Sequence, residues 1–143
     1  MYFDTQELFA DAQSVVSAVG DVVSTNVYDT GAAADVGIGE RMYLYAKMNA
    51  ALTSAGAATI QVVLQTSDSV GSGYTDALEG PTAALAEAGA NAVLARLAFP
   101  VGLKRYLRVV FRIGGATTTG GTATALLVKD VQANQATTSG TAF

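Results

Sequence analysis

KRYLRVVFRI, residues 104–113, alternates with period two: Leu107, Val109, Phe111 and Ile113 fall on one side, and Tyr106, Arg108, Val110 and Arg112 on the other. That alternation predicts a strand with one buried face and one polar, cationic face. Pro100 and Gly102 stand just before it and the Gly114-Gly115 pair closes it, residues that punctuate strands. Five of the eight basic residues lie between Arg96 and Arg112, so this region is the positive pole of an otherwise acidic chain.

Other strands follow outward from it. Val93–Phe99, VLARLAF, puts Val93, Ala95, Leu97 and Phe99 on one face and Arg96 on the other, and leads through Pro100-Val101-Gly102 into the central strand. Thr122–Val131, TATALLVKDV, supplies the last strand after a polar Thr/Gly loop. Thr59–Ser67 sends Ile60, Val62 and Leu64 one way and Gln61, Val63 and Gln65 the other. Met42–Met48, MYLYAKM, sets Met42, Leu44, Ala46 and Met48 against Tyr43, Tyr45 and Lys47, an aromatic outer face suited to cross-strand pairing or to a contact surface. Val22–Asp29 is β-rich and ends at Thr30-Gly31.

The segments between these strands are less regular. Leu8–Gln13, LFADAQ, suits either a short helical turn or an extended arm that pins Leu8 and Phe9 into a groove. Asp35–Glu40, DVGIGE, reads as a turn, since it lacks the further Gly or Lys of a phosphate loop and the acidic spacing of a calcium loop. Ser69–Gly73 is a Gly/Ser loop, and the chain from there to Pro81 reads as irregular surface. Thr82–Ala92 is rich in helix formers, but Gly89 and the flanking strands favour a short strand and turn. From Gln132 to Phe143 there is little to bury, so the end is either a frayed tail or an arm that orders against a neighbour, with Phe143 as its anchor.

Length and composition are consistent with this pattern. A chain of 143 residues suits one core and buries roughly 68–70% of its unfolded surface without staples. Half the residues are apolar, Gly is frequent at 15 and Pro scarce at 2, a mixture that suits short strands joined by tight turns. The expected fold class is all-β: a jelly roll or β-sandwich forming a single domain over 1–143, with an N-terminal arm at 1–14 and a flexible tail at 133–143.

The inventory of reactive residues is short. There is no Cys and no His, which removes Ser-His-Asp and Cys-His catalysis, thiolate metal sites and the commonest general base. Paired carboxylates remain, with Asp68 and Asp76 or Glu79 as candidates on one loop, but solvated loop acids are far commoner. No enzyme, cofactor or metal is expected. A net charge of −4 argues against a nucleic-acid partner, and no apolar run approaches the ~20 residues of a membrane helix. Asp4 and Glu7 at the N-terminus do not resemble the start of a signal peptide, so a soluble, unprocessed chain is expected. The first forty residues carry seven acids and no base, which suggests either a solvated face or acid-to-base contact between copies or with a partner.

Six segments, taken in order, resemble the jelly-roll capsid cement, or decoration, proteins of short-tailed bacteriophages: LFADAQ (8–13), STNVYDTG (24–31), DVGIGE (35–40), VVLQTSD (62–68), RYLRV (105–109) and LLVKDVQ (126–132). The resemblance implies a protein on the outer surface of the virion, assembled in the host cytoplasm. It would bridge neighbouring major capsid proteins and work as a homo-oligomer, a dimer before a trimer. It supplies no catalytic residues. Candidate interface residues are Leu8, Phe9 and Asp11 in LFADAQ, the tyrosines Tyr43 and Tyr45, Phe143 in the tail, and Arg105, Arg108 and Arg112 as partners for carboxylates of the capsid or a sister subunit. A glycan- or receptor-binding module and a head or tail adaptor are the competing readings of the same fold.

Overall fold

The structure, a computed structural model, describes residues 8–31 and 41–129. Among them are nine strands: β1 (Leu8–Ser14), β2 (Gly20–Val23), β3 (Tyr28–Asp29), β4 (Tyr43–Ser54), β5 (Thr59–Ser67), β6 (Thr75–Ala84), β7 (Val93–Ala98), β8 (Tyr106–Gly114) and β9 (Thr118–Val128). One sheet runs β1-β9-β4-β7 and the other β2-β8-β5-β6, with β3 also on β8, and all pairs are antiparallel. Since β2 pairs with Val110–Ile113 and β3 with Tyr106–Leu107, the two are halves of one edge strand. Counted so, eight strands give the orders 1-8-3-6 and 2-7-4-5, which is the jelly roll.

The core lies between the two sheets, and period two fills it. Leu107, Val109, Phe111 and Ile113 of β8 and Ile60, Val62 and Leu64 of β5 meet Leu44, Ala46 and Met48 of β4 and Ala123, Ala125 and Leu127 of β9 in one cluster. Each large side chain buried there stabilises the fold by roughly 1.5–3 kcal/mol. The β4–β5 and β8–β9 connections pass between the sheets together. Gly115, at φ 74°, sits so close to the Ala57 carbonyl that a β-carbon would collide with it.

Ser24 causes the break between β2 and β3. Its backbone N–H donates to the Val109 carbonyl (2.8 Å), while its Oγ accepts from the Val109 N–H (3.1 Å) and donates to the Asn26 carbonyl (2.9 Å). The side chain thus stands in for a ladder acceptor, and the backbone is free to turn toward the other sheet. There the Asn26 backbone N–H donates to the Phe9 carbonyl (3.0 Å), its side-chain amide donates to the Leu8 carbonyl (3.1 Å), and Gln13 Nε2 donates to the Val23 carbonyl (2.7 Å). These bonds sew the β1 edge to the β2–β3 edge and occupy groups that an open edge would expose.

One alternative is decided and three expectations change. LFADAQ is not a helical turn: it is extended, with Leu8 and Phe9 buried, and forms β1, a strand of the sandwich, because β9 and the Asn26 bonds satisfy its backbone. The supposed irregular run before Pro81 is largely β6, an edge strand that needs one ladder only and absorbs Gly80-Pro81 in a register shift opposite Val62. A shift between Ala46 and Lys47 on β4 reverses the start of β7, so that Val93 is exposed and Leu94 buried. The last strand begins at Thr118, within the supposed loop. The Ala-rich stretch after β6 is a turn, as expected, with the Ala84 N–H donating to Glu87 Oε2 (2.9 Å). The DVGIGE turn and the tail from Gln132 to Phe143 lie outside the described residues.

Candidate functional site

The two outer faces of the sandwich differ in chemistry. On the β1-β9-β4-β7 sheet, Leu8, Leu126 and Val128 form a small apolar cluster against which Tyr43 and Tyr45 pack. The register explains it, since Tyr45 stands opposite Leu126 and Tyr43 opposite Val128. The tyrosines are half-buried, and their rings cover aliphatic neighbours on the same sheet. Phe9 faces the interior, 1% exposed, with its ring edge-on to Tyr28 at 6.5 Å. Leu8 and Phe9 are thus covered by the protein itself, whereas Asp11 is exposed.

The outer face of the other sheet carries a polar belt that crosses β2, β8, β5 and β6. Arg112 on β8 donates to Asp21 on β2 through Nε (2.8 Å) and Nη2 (3.1 Å), and through Nη2 to Asp76 on β6 (3.2 Å). Glu79 lies 3.8 Å from its other terminal nitrogen. Asp76 in turn accepts from Gln65 Nε2 on β5 (2.7 Å), and Gln65 Oε1 accepts from Arg108 Nε (2.8 Å). The guanidinium of Arg108 lies over the Tyr74 ring, 3.9 Å from its centroid, and the Tyr74 hydroxyl donates to the Val70 carbonyl (2.9 Å).

This belt covers apolar residues. Arg112 aligns with Gln61, and Asp76 with Gln65, so their side chains meet over the intervening Val63–Val110 row. Both valines are fully buried although they lie on the outer face. The aliphatic stem of Arg112 thereby acts as a lid while its head stays paired.

The electrostatics follow the contacts. Hydrogen bonding from Gln65, and secondarily from Arg112, holds the Asp76 carboxyl below its ordinary value against the opposing effect of burial. That environment suits a permanent anion, not a general acid, which needs a raised value. Asp68, the other acid of the supposed pair, is bound to Lys104 at 3.0 Å. At the end of β3, Asp29 grips Arg105 with two hydrogen bonds (2.8 and 3.0 Å) and accepts from the Gly31 N–H (2.8 Å). The Arg105 bonds first and the Gly31 bond second bring the Asp29 carboxyl down to about 2. Burial raises the Tyr74 hydroxyl.

Of the residues singled out in the sequence, Arg108 and Arg112 come together on one face, and Tyr43 and Tyr45 join Leu8 on the opposite face. Arg105 stands apart on Asp29, and Phe143 lies outside the described residues. Arg105 and Arg112 find their carboxylates within the chain, so part of the acidic segment is internal counter-charge to the basic strand. Gln65, Tyr74, Asp21 and Asp29 belong to the belt and the clasp without having been singled out in the sequence, and Asp76, read there as half of a carboxylate pair, is instead the partner of Gln65 and Arg112. Gln61 and Gln65 stand on the outward face of a clear strand, where water ordinarily satisfies a polar residue, and the burial of Gln65 that makes a partner necessary comes from the belt itself.

Fold and faces together define an all-β jelly-roll module whose polar chemistry is displayed on an outer sheet surface. The model of the Bbp16 family, a phage protein family, matches residues 9–127, and the chain belongs to that family. No curated protein matches it.

Proposed function

We propose that the protein is a structural component of a phage head, a cement or decoration protein that binds the outer surface of the shell and bridges neighbouring major capsid proteins. The observation that carries this reading is the extent of the family match. It runs from β1 to within β9, so the unit shared across a phage family is the sandwich itself. The resemblance of LFADAQ, VVLQTSD and RYLRV to cement proteins supports it further, since they lie on β1, on and just beyond β5, and at the start of β8.

Such a protein works mechanically. It offers surface, and a lattice multiplies each modest contact by copy number and by the linkage of copies in a homo-oligomer, a dimer before a trimer. Val16, Val19, Val23 and Val27, each at least 37% exposed, give the β1–β3 region apolar surface suited to a protein partner.

The test is to mix purified protein with heads that lack it and image them. Hundreds of ordered copies, on heads that then resist heat or osmotic shock better, are the expected result. A few copies at one vertex would assign an adaptor instead, and no binding would remove the capsid from the account.

A further inference from the structure

The three arginines of the β8 region differ in what holds them. Arg105 is closed on Asp29, and Arg112 on Asp21 and Asp76. Arg108 makes no ion pair among the described residues and is held by neutral groups alone, Gln65 on its Nε and the Tyr74 ring against its plane. Its two terminal nitrogens, with four N–H bonds between them, are left to bond elsewhere.

Both holding groups are themselves fixed. Gln65 is 7% exposed, and because its Nε2 donates to Asp76, its Oε1 must face Arg108. Tyr74 is tethered by its hydroxyl to Val70. On the other flank the edge strand is broken. β2 ends at Val23 opposite Val110 and β3 resumes at Tyr28 opposite Leu107, so no ladder partner faces Arg108. Val23 and Val27, 40% and 37% exposed, border that break.

From this geometry we infer that Arg108 is a pre-oriented seat for a single carboxylate, an Asp or Glu side chain of the capsid subunit, an assignment that rests on the capsid-binding reading above. A planar fork already stacked and held at Nε loses little freedom when it takes a carboxylate through its terminal nitrogens. Asp21, Asp76 and Glu79 outnumber Arg112 and Arg108 on this face, and with a net charge of −4 on the chain they oppose a polyanion such as nucleic acid, so the contact is confined to the terminal nitrogens of Arg108. Arginine that becomes desolvated beside an aromatic ring and apolar residues is a common energetic centre of protein interfaces.

The experiment titrates heads lacking the protein with wild type, Arg108→Gln, Arg108→Lys, Tyr74→Phe and Tyr74→Leu, each checked for native circular dichroism and melting. Arg108→Gln should weaken binding about tenfold or more, the factor that corresponds to 1.4 kcal/mol. Arg108→Lys, which keeps the charge but loses the planar fork, should fall nearly as far, and Tyr74→Leu should weaken binding more than Tyr74→Phe. Folded Arg108→Gln that decorates heads with wild-type affinity overturns the assignment and leaves the capsid reading standing. Wild type that fails to decorate heads overturns both.

Discussion

Arg112 and Asp21, 91 residues apart in sequence, face each other across adjacent strands with two parallel hydrogen bonds of 2.8 and 3.1 Å. The pair fastens the edge strand β2 to the central strand β8, and Asp76 extends it to β6. Replacement of Arg112 by Met keeps the stem over Val63 and Val110 but removes the head. The side chain is one-third exposed, so solvent screening limits the loss to roughly 1 kcal/mol. Arg112→Ala, which also uncovers the valines, should cost about 1–2 kcal/mol more. Urea denaturation of the two variants separates lid from ion pair, and equal losses would show that the stem covers nothing of consequence.

Acid should weaken the Asp29–Arg105 clasp in a defined window. The Asp29 value is depressed on folding, from 3.8 to about 2, so its contribution is complete above the unfolded value and disappears as pH falls through that range. Asp76 is shifted the same way and adds to the acid limb. Asp29→Asn should flatten the stability profile between about pH 4 and pH 2 while leaving other parts of the curve in shape. Parallel wild-type and variant profiles across that window would refute the linkage.

Ser24→Ala is expected to be costly for a small change. It strands the buried Val109 N–H, and an unsatisfied buried donor costs about 1–3 kcal/mol. Hydrogen exchange at Val109 and its neighbours should quicken before the rest of β8 responds. Exchange that stays at wild-type rates would mean that another acceptor takes the proton.

Gly115→Ala should destabilise by at least about 1–2 kcal/mol, the usual cost of a left-handed conformation for an L-residue, with the Ala57 collision added. Gly31, whose φ is also positive at 84° but whose surroundings are open, isolates the conformational part: Gly31→Ala should cost less. Thermal melts of the pair provide the comparison, and equal shifts would remove the collision from the account.

Much of this architecture was legible in the chain, for a physical reason. Strands buried on one face must alternate, and Leu107 to Ile113 and Ile60 to Leu64 do so. Legibility ended where something other than period two decided burial. Val63 and Val110 have the parity of exposed residues, yet they are buried because Arg112 lies over them. Val93 has the parity of a core residue, yet a register shift turns it outward. β6 carries Asp76, Glu79, Gly80 and Pro81, which signal a turn in isolation and are tolerated in an edge strand. The arginine partners were beyond reach because Asp29 and Arg105 are 76 positions apart, and nothing local couples them. LFADAQ was ambiguous for the same reason: its ladder partner, Leu126–Thr122, is more than a hundred residues downstream.

That arrangement also sets a timetable. β1 bonds to β9, and β2 and β3 bond to β8, so a nascent chain emerging from the ribosome carries its first three strands without their neighbours until nearly the whole sandwich has been made. β5 and β6 are consecutive in the chain, and β7 follows them as a partner for β4, so these two ladders need no segment made later than β7. The ladders that hold the β1 edge and the β2–β3 edge must wait for β9 and β8. Closure is therefore a late event, on the millisecond-to-second scale usual for non-local β topologies, and a copy released too early would still expose the apolar faces of β4 and β5.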